Sequence, residues 1–302
     1  MRGPETLSAL SALMAEEKYP NIVVITVDCC RFDTAGLAST PTLDGLGPLR
    51  RAVTSGTFTL PAHMAFFSGY FPNVMDLPHE DYYSREARQL WRLGRAKQKD
   101  RDTYHLLLEG DTLWEGFRRA GYYQMGAGGV RWFLTKTLTE GFDDFLFRGP
   151  ADYSNWFAER GPDDFVLARP DILAERLPAG RPWFLFVNAL ETHAPYNDGA
   201  TPFPEEARDV ISRGTPIWAG RSGQILHTDL TRADYQLLHR LQVQALKTVD
   251  ARLAALFDLL PKPFVALVCA DHGECFGEGG RWGHGFPAEP VMTVPMWVGA
   301  VT

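Results

Sequence analysis

Three short apolar segments limit the possible folds of this chain more than any other feature of its sequence. They lie at residues 22–27 (IVVITV), 183–190 (WFLFVNAL) and 264–270 (FVALVCA), and they are rich in β-branched or aromatic residues. Segments of this length and composition are typical of strands buried on both faces of a parallel sheet. Each segment runs directly into polar residues, namely Asp28, the group Glu191-Thr192-His193, and the pair Asp271-His272. Ligands bind outside the carboxyl ends of the strands in an open α/β sheet, so these residues predict an active site at that edge.

Helical patterns between these segments favour an α/β fold. The longest spans residues 231–260, where apolar residues recur every three or four positions: Leu238, Leu241, Ala245, Val249, Leu253, Leu256 and Leu260. A second covers residues 111–120 and is followed by Gly121, a residue typical of helix C-terminal caps. Residues 126–129 (GAGG) lack the spacing of a phosphate-binding loop and favour a tight turn. We expect a mostly parallel central sheet sandwiched by helices, in one domain spanning residues 1–302.

Two stretches without regular apolar spacing predict insertions over the carboxyl edge of the sheet. Residues 76–104 are polar, with Arg and Lys residues set among aromatic ones. This stretch is either a lid that meets an anionic substrate or a solvated helical face. Residues 197–230 contain Pro202, Pro204, Pro216 and several glycines, which indicate an irregular connection.

The charge balance and the hydropathy pattern argue against two classes of partner. Thirty Lys and Arg against 37 Asp and Glu give a net charge of −7, which offers no general attraction to nucleic acid or to an anionic membrane. No apolar run approaches the roughly 20 residues of a membrane helix. The first 20 residues are broken by charges where a signal peptide would be apolar. We expect a cytoplasmic protein without nucleic-acid or membrane partners, and the sequence carries no signal for its oligomeric state.

The four cysteines do not form a disulfide framework in this prediction. Cys29, Cys30, Cys269 and Cys275 are too few and too clustered for the framework of a secreted domain. They flank the polar residues that follow the first and third apolar segments. They are either small buried residues at strand ends or thiolate ligands, and burial is the more common state of a free cysteine.

Three groups of polar residues carry the candidate chemistry. Asp28 follows the first strand, where it is either the N-cap of the next helix or a ligand. Asp271 and His272 follow the third strand, where an acid and an imidazole can both turn toward a single cation. Thr59 stands before Pro61 in the segment GTFTLPAHMAFFSG. Its hydroxyl lies beside free backbone N–H groups at the positive end of a helix, or it caps that helix.

In order and spacing, these groups resemble those of the alkaline phosphatase superfamily, in particular its sulfatase-like and phosphoethanolamine-transferase-like branches. The resemblance rests on elements that follow the family's order: the first metal strand (21–31), the next turn and helix (40–44), the nucleophile segment (59–69), a helix and Gly-Tyr strand (110–126), a His-x-Pro-Tyr loop (193–196), and the last metal motif (271–274 with 284–285). It therefore spans most of the chain.

This resemblance implies a metalloenzyme with a threonine nucleophile. Asp28, Thr59, Asp271 and His272 would bind one divalent ion, zinc or manganese rather than magnesium, because they mix carboxylate, hydroxyl and imidazole ligands. The cation would activate the Thr59 hydroxyl for attack on phosphorus. Water or an acceptor alcohol would then resolve the covalent phosphothreonine.

The same resemblance implies roles for further residues. His193 and His284 correspond to family histidines that contact the phosphoryl group, complete a second metal site or protonate the leaving group. They are predicted to be catalytic, and a second ion at these two histidines is one of the alternatives. Arg31, His63 and Glu274 are expected to bind the substrate.

Departures from the family pattern narrow the expected function. Sulfatases require Cys or Ser at the nucleophile position, because formylglycine needs an unbranched β-carbon, and Thr59 has a branched one. His63 stands where the family usually has Arg, and Ala189 stands where relatives with two metal ions have Asp. We expect a phosphoric ester hydrolase that acts on a small-molecule or peptide phosphoester. The alternatives are a phosphotransferase with the same Thr59 intermediate, a sulfatase, and a non-catalytic relative that binds phosphorylated ligands.

Overall fold

The computed structural model describes residues 20–69, 112–134, 136–150, 159–219 and 229–302. The predicted insertion at residues 76–104 lies outside the described residues. The strands are β1 (Asn21–Val27), β2 (Arg50–Val53), β3 (Tyr123–Gly128), β4 (Asp144–Phe147), β5 (Trp183–Ala189), β6 (Phe264–Cys269), β7 (Cys275–Phe276), β8 (Trp282–Gly283) and β9 (Thr293–Val301). The helices are α1 (Phe32–Leu37), α2 (Pro41–Leu46), α3 (Thr59–Ser68), α4 (Leu113–Arg119), α5 (Lys136–Thr139), α6 (Pro170–Glu175), α7 (Glu205–Ala219), α8 (Arg232–Leu259) and α9 (Glu289–Met292).

A seven-stranded sheet in the order β2-β9-β6-β1-β5-β3-β4 forms the centre of the described residues. Strands β6, β1, β5, β3 and β4 are parallel, while β9 runs antiparallel to both β6 and β2. The three apolar segments of the sequence form β6, β1 and β5, which lie side by side. The prediction of an α/β fold with a mostly parallel central sheet is therefore confirmed.

Hydrophobic clusters cover both faces of the sheet, and the side chains of β5 alternate between them. One cluster contains Trp183, Leu185 and Val187 together with apolar residues of α8. The other contains Phe184 and Phe186 together with apolar residues of α3. Alternate residues of a strand point to opposite faces, so the sheet is sandwiched between a layer that includes α8 and a layer that includes α3.

Helix α8 lies within the range 231–260 that the apolar spacing predicts. Its N-cap is Thr231, whose side chain accepts a hydrogen bond from Asp234 N (3.2 Å), while the Asp234 carboxylate accepts one from Thr231 N (2.7 Å). This capping box satisfies backbone N–H groups that a helix start leaves without partners. None of the described helices is both long enough and apolar enough to cross a lipid bilayer.

The glycines at residues 126–128 do not form the tight turn that the sequence predicts. They continue β3 to Gly128. A Cβ atom at Gly126 would lie 2.5 Å from the ring of Phe145. Glycine here lets aromatic side chains pack directly on the strand backbone.

The connection at residues 197–230 is less irregular than predicted, since it contains the 15-residue helix α7. Gly214, which counted against a helix in the sequence, packs against the ring of Trp282. Helix α7 shares a hydrophobic cluster with Tyr196 and Phe276. The described part of this connection therefore packs beside the polar residues that follow β5 and β6.

Candidate metal centre and active site

Asp28 lies at the carboxyl end of β1 and is held there by the neighbouring strand. Its backbone N–H donates to Ala189 O (2.9 Å), which extends the pairing of β1 with β5. Its side chain is buried, and Oδ2 accepts hydrogen bonds from Asn188 Nδ2 (3.1 Å) and Thr59 Oγ1 (3.5 Å). The N-cap of α1 is Arg31. Asp28 therefore does not cap that helix, and its carboxylate faces the other polar residues at this edge.

Asp271 and His272 follow β6 and turn toward Asp28. Asp271 Oδ1 accepts hydrogen bonds from the backbone N–H groups of Cys29 (3.3 Å) and His272 (3.0 Å), whereas Oδ2 is buried and has no hydrogen-bond partner. His272 Nδ1 donates to Gly273 O (2.9 Å), which leaves Nε2 as an acceptor. Nε2 lies 3.7 Å from Asp28 Oδ1 and 3.5 Å from Asp271 Oδ2. Carboxylate oxygens and an imidazole nitrogen that could bind a metal ion therefore converge from the ends of two strands.

Thr59 is the first residue of α3, and the residue before it, Phe58, is the N-cap. The sequence left open whether Thr59 caps this helix, and the structure shows that it does not. Its hydroxyl instead donates to Asp28 Oδ2. The positive end of the helix favours negative charge at this position. The Thr59 hydroxyl therefore lies in the same group of polar atoms as Asp28, Asp271 and His272, and it is directed toward Asp28.

The two buried carboxylates carry negative charge that their surroundings do not compensate. Burial and the neighbouring Asp271 raise the pKa of Asp28 from 3.8 to about 6. Burial also raises the pKa of Asp271 from 3.8 to about 7, although backbone N–H groups act in the opposite direction. Burial lowers the pKa of His272 to about 4, so its imidazole is neutral at pH 7. Two carboxylates, one unpartnered carboxylate oxygen and a neutral imidazole fit a divalent cation such as zinc.

His193 and His284 adjoin this group. The ring centroid of His284 lies 4.4 Å from that of His272 and 5.6 Å from that of His193. His193 Nδ1 contacts Ala194 O (2.9 Å), and His284 Nδ1 contacts Glu274 Oε1 (2.9 Å). Burial lowers the pKa of His193 well below 6.5. Burial alone would lower the pKa of His284 too, but the nearby carboxylates, Glu274 foremost, raise it.

Cys29 lies between the carboxylate group around Asp28 and the histidine pair His193 and His284. Its Sγ atom is 3.2 Å from Asp28 Oδ1, 3.9 Å from His272 Nε2 and 3.6 Å from His284 Nδ1. Burial, with the Glu274 carboxylate, raises the pKa of the thiol well above 9.0. All four cysteines are buried and form no disulfide bond in the structure.

Of the three residues predicted to bind substrate, Glu274 alone reaches the histidines with its side chain. Arg31 instead forms ion pairs with Asp33 and Glu278 (2.6 Å each), and its Nη1 atom donates to the Glu274 backbone carbonyl (3.0 Å). The guanidinium lines a cavity of about 580 Å³ beside both carboxylates. The Arg31 guanidinium is therefore engaged by Asp33, Glu278 and the Glu274 carbonyl.

His63 lies behind Thr59, where solvent does not reach it. Its Nδ1 donates to Thr59 O (2.7 Å), and its Nε2 accepts from Thr26 Oγ1 (3.0 Å). Burial lowers its pKa to about 3, so the ring is neutral. These contacts fix the backbone of the Thr59 segment to β1. They leave no ring nitrogen for the substrate contact that the sequence predicts.

Asn188 and Gln242 belong to the site and were not predicted. Asn188 donates to Asp28 Oδ2, and Gln242 Nε2 donates to Cys29 O (2.9 Å). Both are buried polar residues where the surrounding pattern is apolar, Asn188 within β5 and Gln242 on the core face of α8. A polar residue that interrupts a buried apolar pattern was the signal that could have found them.

Comparison with known proteins relates this arrangement to one family. The profile of the family described as Sulfatase matches residues 20–298. No curated protein sequence matches the chain.

Three solved structures illustrate the likeness in fold. A phosphonate monoester hydrolase of Agrobacterium radiobacter has a TM-score of 0.62 at 17% identity, over 92% of this chain and 68% of that one. The C-terminal periplasmic domain of EcEptC from Escherichia coli, in complex with Zn, has a TM-score of 0.56 at 15% identity, over 93% and 72% of the two chains. The corresponding domain of the phosphoethanolamine transferase EptC from Campylobacter jejuni has a TM-score of 0.55 at 13% identity, over 93% and 79%.

Proposed function

The chain belongs to the sulfatase family, and from that premise we propose that it is a metal-dependent phosphoric ester hydrolase that acts through a covalent phosphothreonine at Thr59. The observation that carries this proposal is the position of the Thr59 hydroxyl. It lies at the first residue of α3, 3.5 Å from Asp28 Oδ2, in a buried group of carboxylate and imidazole donors.

The residues that would hold the divalent ion are Asp28, Thr59, Asp271 and His272. Their fit rests on the unpartnered Oδ2 atom of Asp271 and on the raised pKa values of both carboxylates. When bound, such an ion supplies positive charge beside the Thr59 hydroxyl and the transferring phosphoryl group. Zinc and manganese suit this mixed ligand set better than magnesium.

The chain's own residues prepare Thr59 for attack. The hydrogen bond from Thr59 Oγ1 to Asp28 Oδ2 directs the hydroxyl proton to the carboxylate, and Asn188 holds that carboxylate in place. The hydrogen bond from His63 to Thr59 O keeps the start of α3 fixed. We assign His193 and His284 to the side of the phosphoryl group that carries the leaving oxygen.

Phosphate esters are favoured over sulfate esters by the chemistry of the nucleophile. A threonine side chain has a branched β-carbon, so Thr59 cannot become the formylglycine that sulfatases use. Its oxygen can still attack phosphorus directly. The substrate we propose is a small-molecule or peptide phosphoester.

A phosphotransferase is the second candidate, because the phosphoethanolamine transferase EptC shares this fold. Both reactions pass through the same phosphothreonine, and they differ only in whether water or an acceptor alcohol resolves it. Analysis of the products formed with and without an added alcohol separates the two.

The test of the nucleophile uses three substitutions at one position. Thr59→Val keeps the shape of threonine without its oxygen, Thr59→Ala removes the branch as well, and Thr59→Ser keeps the oxygen. We expect the first two variants to lose turnover of aryl phosphate monoesters and diesters, and Thr59→Ser to retain part of it, since its χ1 rotamer is freer. Peptide mapping of wild-type protein quenched during turnover should find the phosphoryl group on Thr59. Wild-type activity in Thr59→Val, or a label at another residue, would contradict the proposed mechanism.

A further inference from the structure

Gln242 is a buried amide on the core face of α8 that contacts three other segments of the chain. The residues one helical turn to either side, Leu238 and Leu246, are buried and apolar. The amide nonetheless has partners at the carboxyl edge of the sheet, where Nε2 donates to Cys29 O (2.9 Å) and to Thr192 O (3.2 Å). Both protons of Nε2 are used in this way, so one side chain joins the loop that follows β1 to the loop that follows β5.

The orientation of the Gln242 amide is fixed by a chain of hydrogen bonds with one possible direction. Backbone carbonyls only accept, so the amide nitrogen must face them, and the Thr34 hydroxyl of α1 donates to Oε1 (2.6 Å). Because that hydroxyl has a single proton, His239 Nε2 must be the donor in its contact with Thr34 Oγ1 (2.9 Å). Gln242 and Thr34 are both fully buried, so solvent cannot replace either contact. The amide therefore cannot turn over without the loss of these bonds.

The two carbonyls that accept from Gln242 belong to the residues next to Asp28 and His193. Cys29 needs such support, because its φ of 62° lies in the left-handed region that residues other than glycine rarely adopt. A second contact joins the same two loops, from Thr192 Oγ1 to Asp28 O (2.5 Å). The separation of Asp28 from His193 therefore depends on how these loops are held together.

We propose that Gln242 is a positioning residue that sets the separation of Asp28 from His193. The inference rests on the proposed function, in which Asp28 directs the Thr59 hydroxyl on one side of the phosphoryl group and His193 lies on the side of the leaving oxygen. In-line displacement needs both ends at a fixed spacing, and a misplacement of about 1 Å can cost on the order of 10²-fold in rate. Gln242 acts through the two loops and needs no contact with the substrate.

Two substitutions remove this bridge in different ways. Gln242→Met has nearly the length of glutamine and no amide, whereas Thr34→Val keeps the shape of threonine and removes the hydroxyl that orients the amide. We expect each to lower kcat/KM for aryl phosphate esters by on the order of 10²-fold, and we expect Thr34→Ser, which keeps the hydroxyl, to restore most of it. The matched control is Gln244→Met on the same helix, because the Gln244 side chain is half-buried and donates only a long hydrogen bond to Thr201 Oγ1 (3.4 Å). This control should keep wild-type kinetics, and thermal unfolding checks the fold of every variant.

The leaving group of the substrate separates positioning from a general loss of structure. A phenyl ester depends more on protonation of its leaving oxygen than a para-nitrophenyl ester does. Displacement of His193 should therefore lower kcat/KM more for the phenyl ester than for the para-nitrophenyl ester. Equal losses with the two esters, or wild-type values in both Gln242→Met and Thr34→Val, would overturn the proposal.

Crystal structures of the wild type and the two glutamine variants give a readout that needs no activity. The separation of the Asp28 carboxylate from the His193 ring should increase in Gln242→Met and stay unchanged in Gln244→Met. An unchanged separation in Gln242→Met would overturn the inference even if turnover falls, and Thr34→Val takes its place if that variant does not fold. If the wild type hydrolyses neither ester, the proposed function fails, and these structures still decide whether Gln242 sets the separation.

Discussion

Replacement of Asp271 by asparagine should stabilise the metal-free protein at neutral pH. Asp271 is fully buried beside Asp28, and this environment raises its pKa from 3.8 to about 7. The folded state therefore binds a proton that the unfolded state has released at any pH between about 4 and 7. The free energy of unfolding falls as pH rises through this window, and it stays low above it.

The expected size follows from that change in pKa. A rise from 3.8 to about 7 corresponds to on the order of 4 kcal/mol of lost stability at high pH. On the order of 2–3 kcal/mol of it falls between pH 5 and pH 7.5, because the unfolded carboxyl is already mostly ionised at pH 5. Asparagine has nearly the same shape and no charge, so Asp271→Asn removes this dependence.

Urea unfolding of chelator-treated protein at pH 5 and pH 7.5 measures the effect. The loss of stability between the two pH values should be on the order of 2–3 kcal/mol larger in the wild type than in Asp271→Asn. Asp258→Asn, which changes an exposed carboxylate on α8, should follow the wild type and serves as the control. Equal losses in the wild type and Asp271→Asn would refute the argument that burial leaves this charge uncompensated.

Three further outcomes test the site and the core. Metal analysis of Asp28→Ala should show loss of the ion assigned to Asp28, Thr59, Asp271 and His272. Full occupancy in this variant would contradict that assignment. His193→Ala and His284→Ala should each lower kcat by about 10²–10⁴-fold, measured with the metal content known, and near-normal kinetics in both would make these residues structural. Leu256→Ala should lower the free energy of unfolding by about 2–5 kcal/mol, because it opens a cavity in the core. Leu259→Ala, at a position with 51% exposure, should change it by less than about 0.5 kcal/mol, and equal effects would contradict the assigned faces of α8.

The sheet could be predicted because its central strands are uniformly apolar. Burial on both faces leaves a continuous run, as at residues 183–190, which is easy to distinguish from an amphipathic helix. The same logic failed at Gly126, because a glycine weakens the apolar pattern of a strand. Glycine is needed at this position because the ring of Phe145 packs directly on the backbone of β3. The sequence did not predict helix α7, because glycine disfavours a helix and no local pattern shows that Gly214 packs against the ring of Trp282.

The candidate site was predictable where a residue follows a strand directly. Asp28 and Asp271 come immediately after apolar segments, so the topology alone brings them to one edge. The position of His63 was not predictable, because its two hydrogen bonds depend on how α3 packs against β1. The environment of Cys29 depends in the same way on His284, a residue far along the chain that no local pattern connects to it.

The order of the central strands has a consequence for how the chain is made. β1 ends at Val27, yet its two neighbours in the sheet begin at Trp183 and Phe264. At translation rates of roughly 5–20 residues per second, β1 leaves the ribosome about 10–50 s before β6. During that interval this apolar strand has unpaired edges, which makes the nascent chain a target for chaperones and for aggregation. Asp28 likewise meets Asp271 and His272 only after those residues have been made, so the proposed metal centre cannot assemble before that point of synthesis.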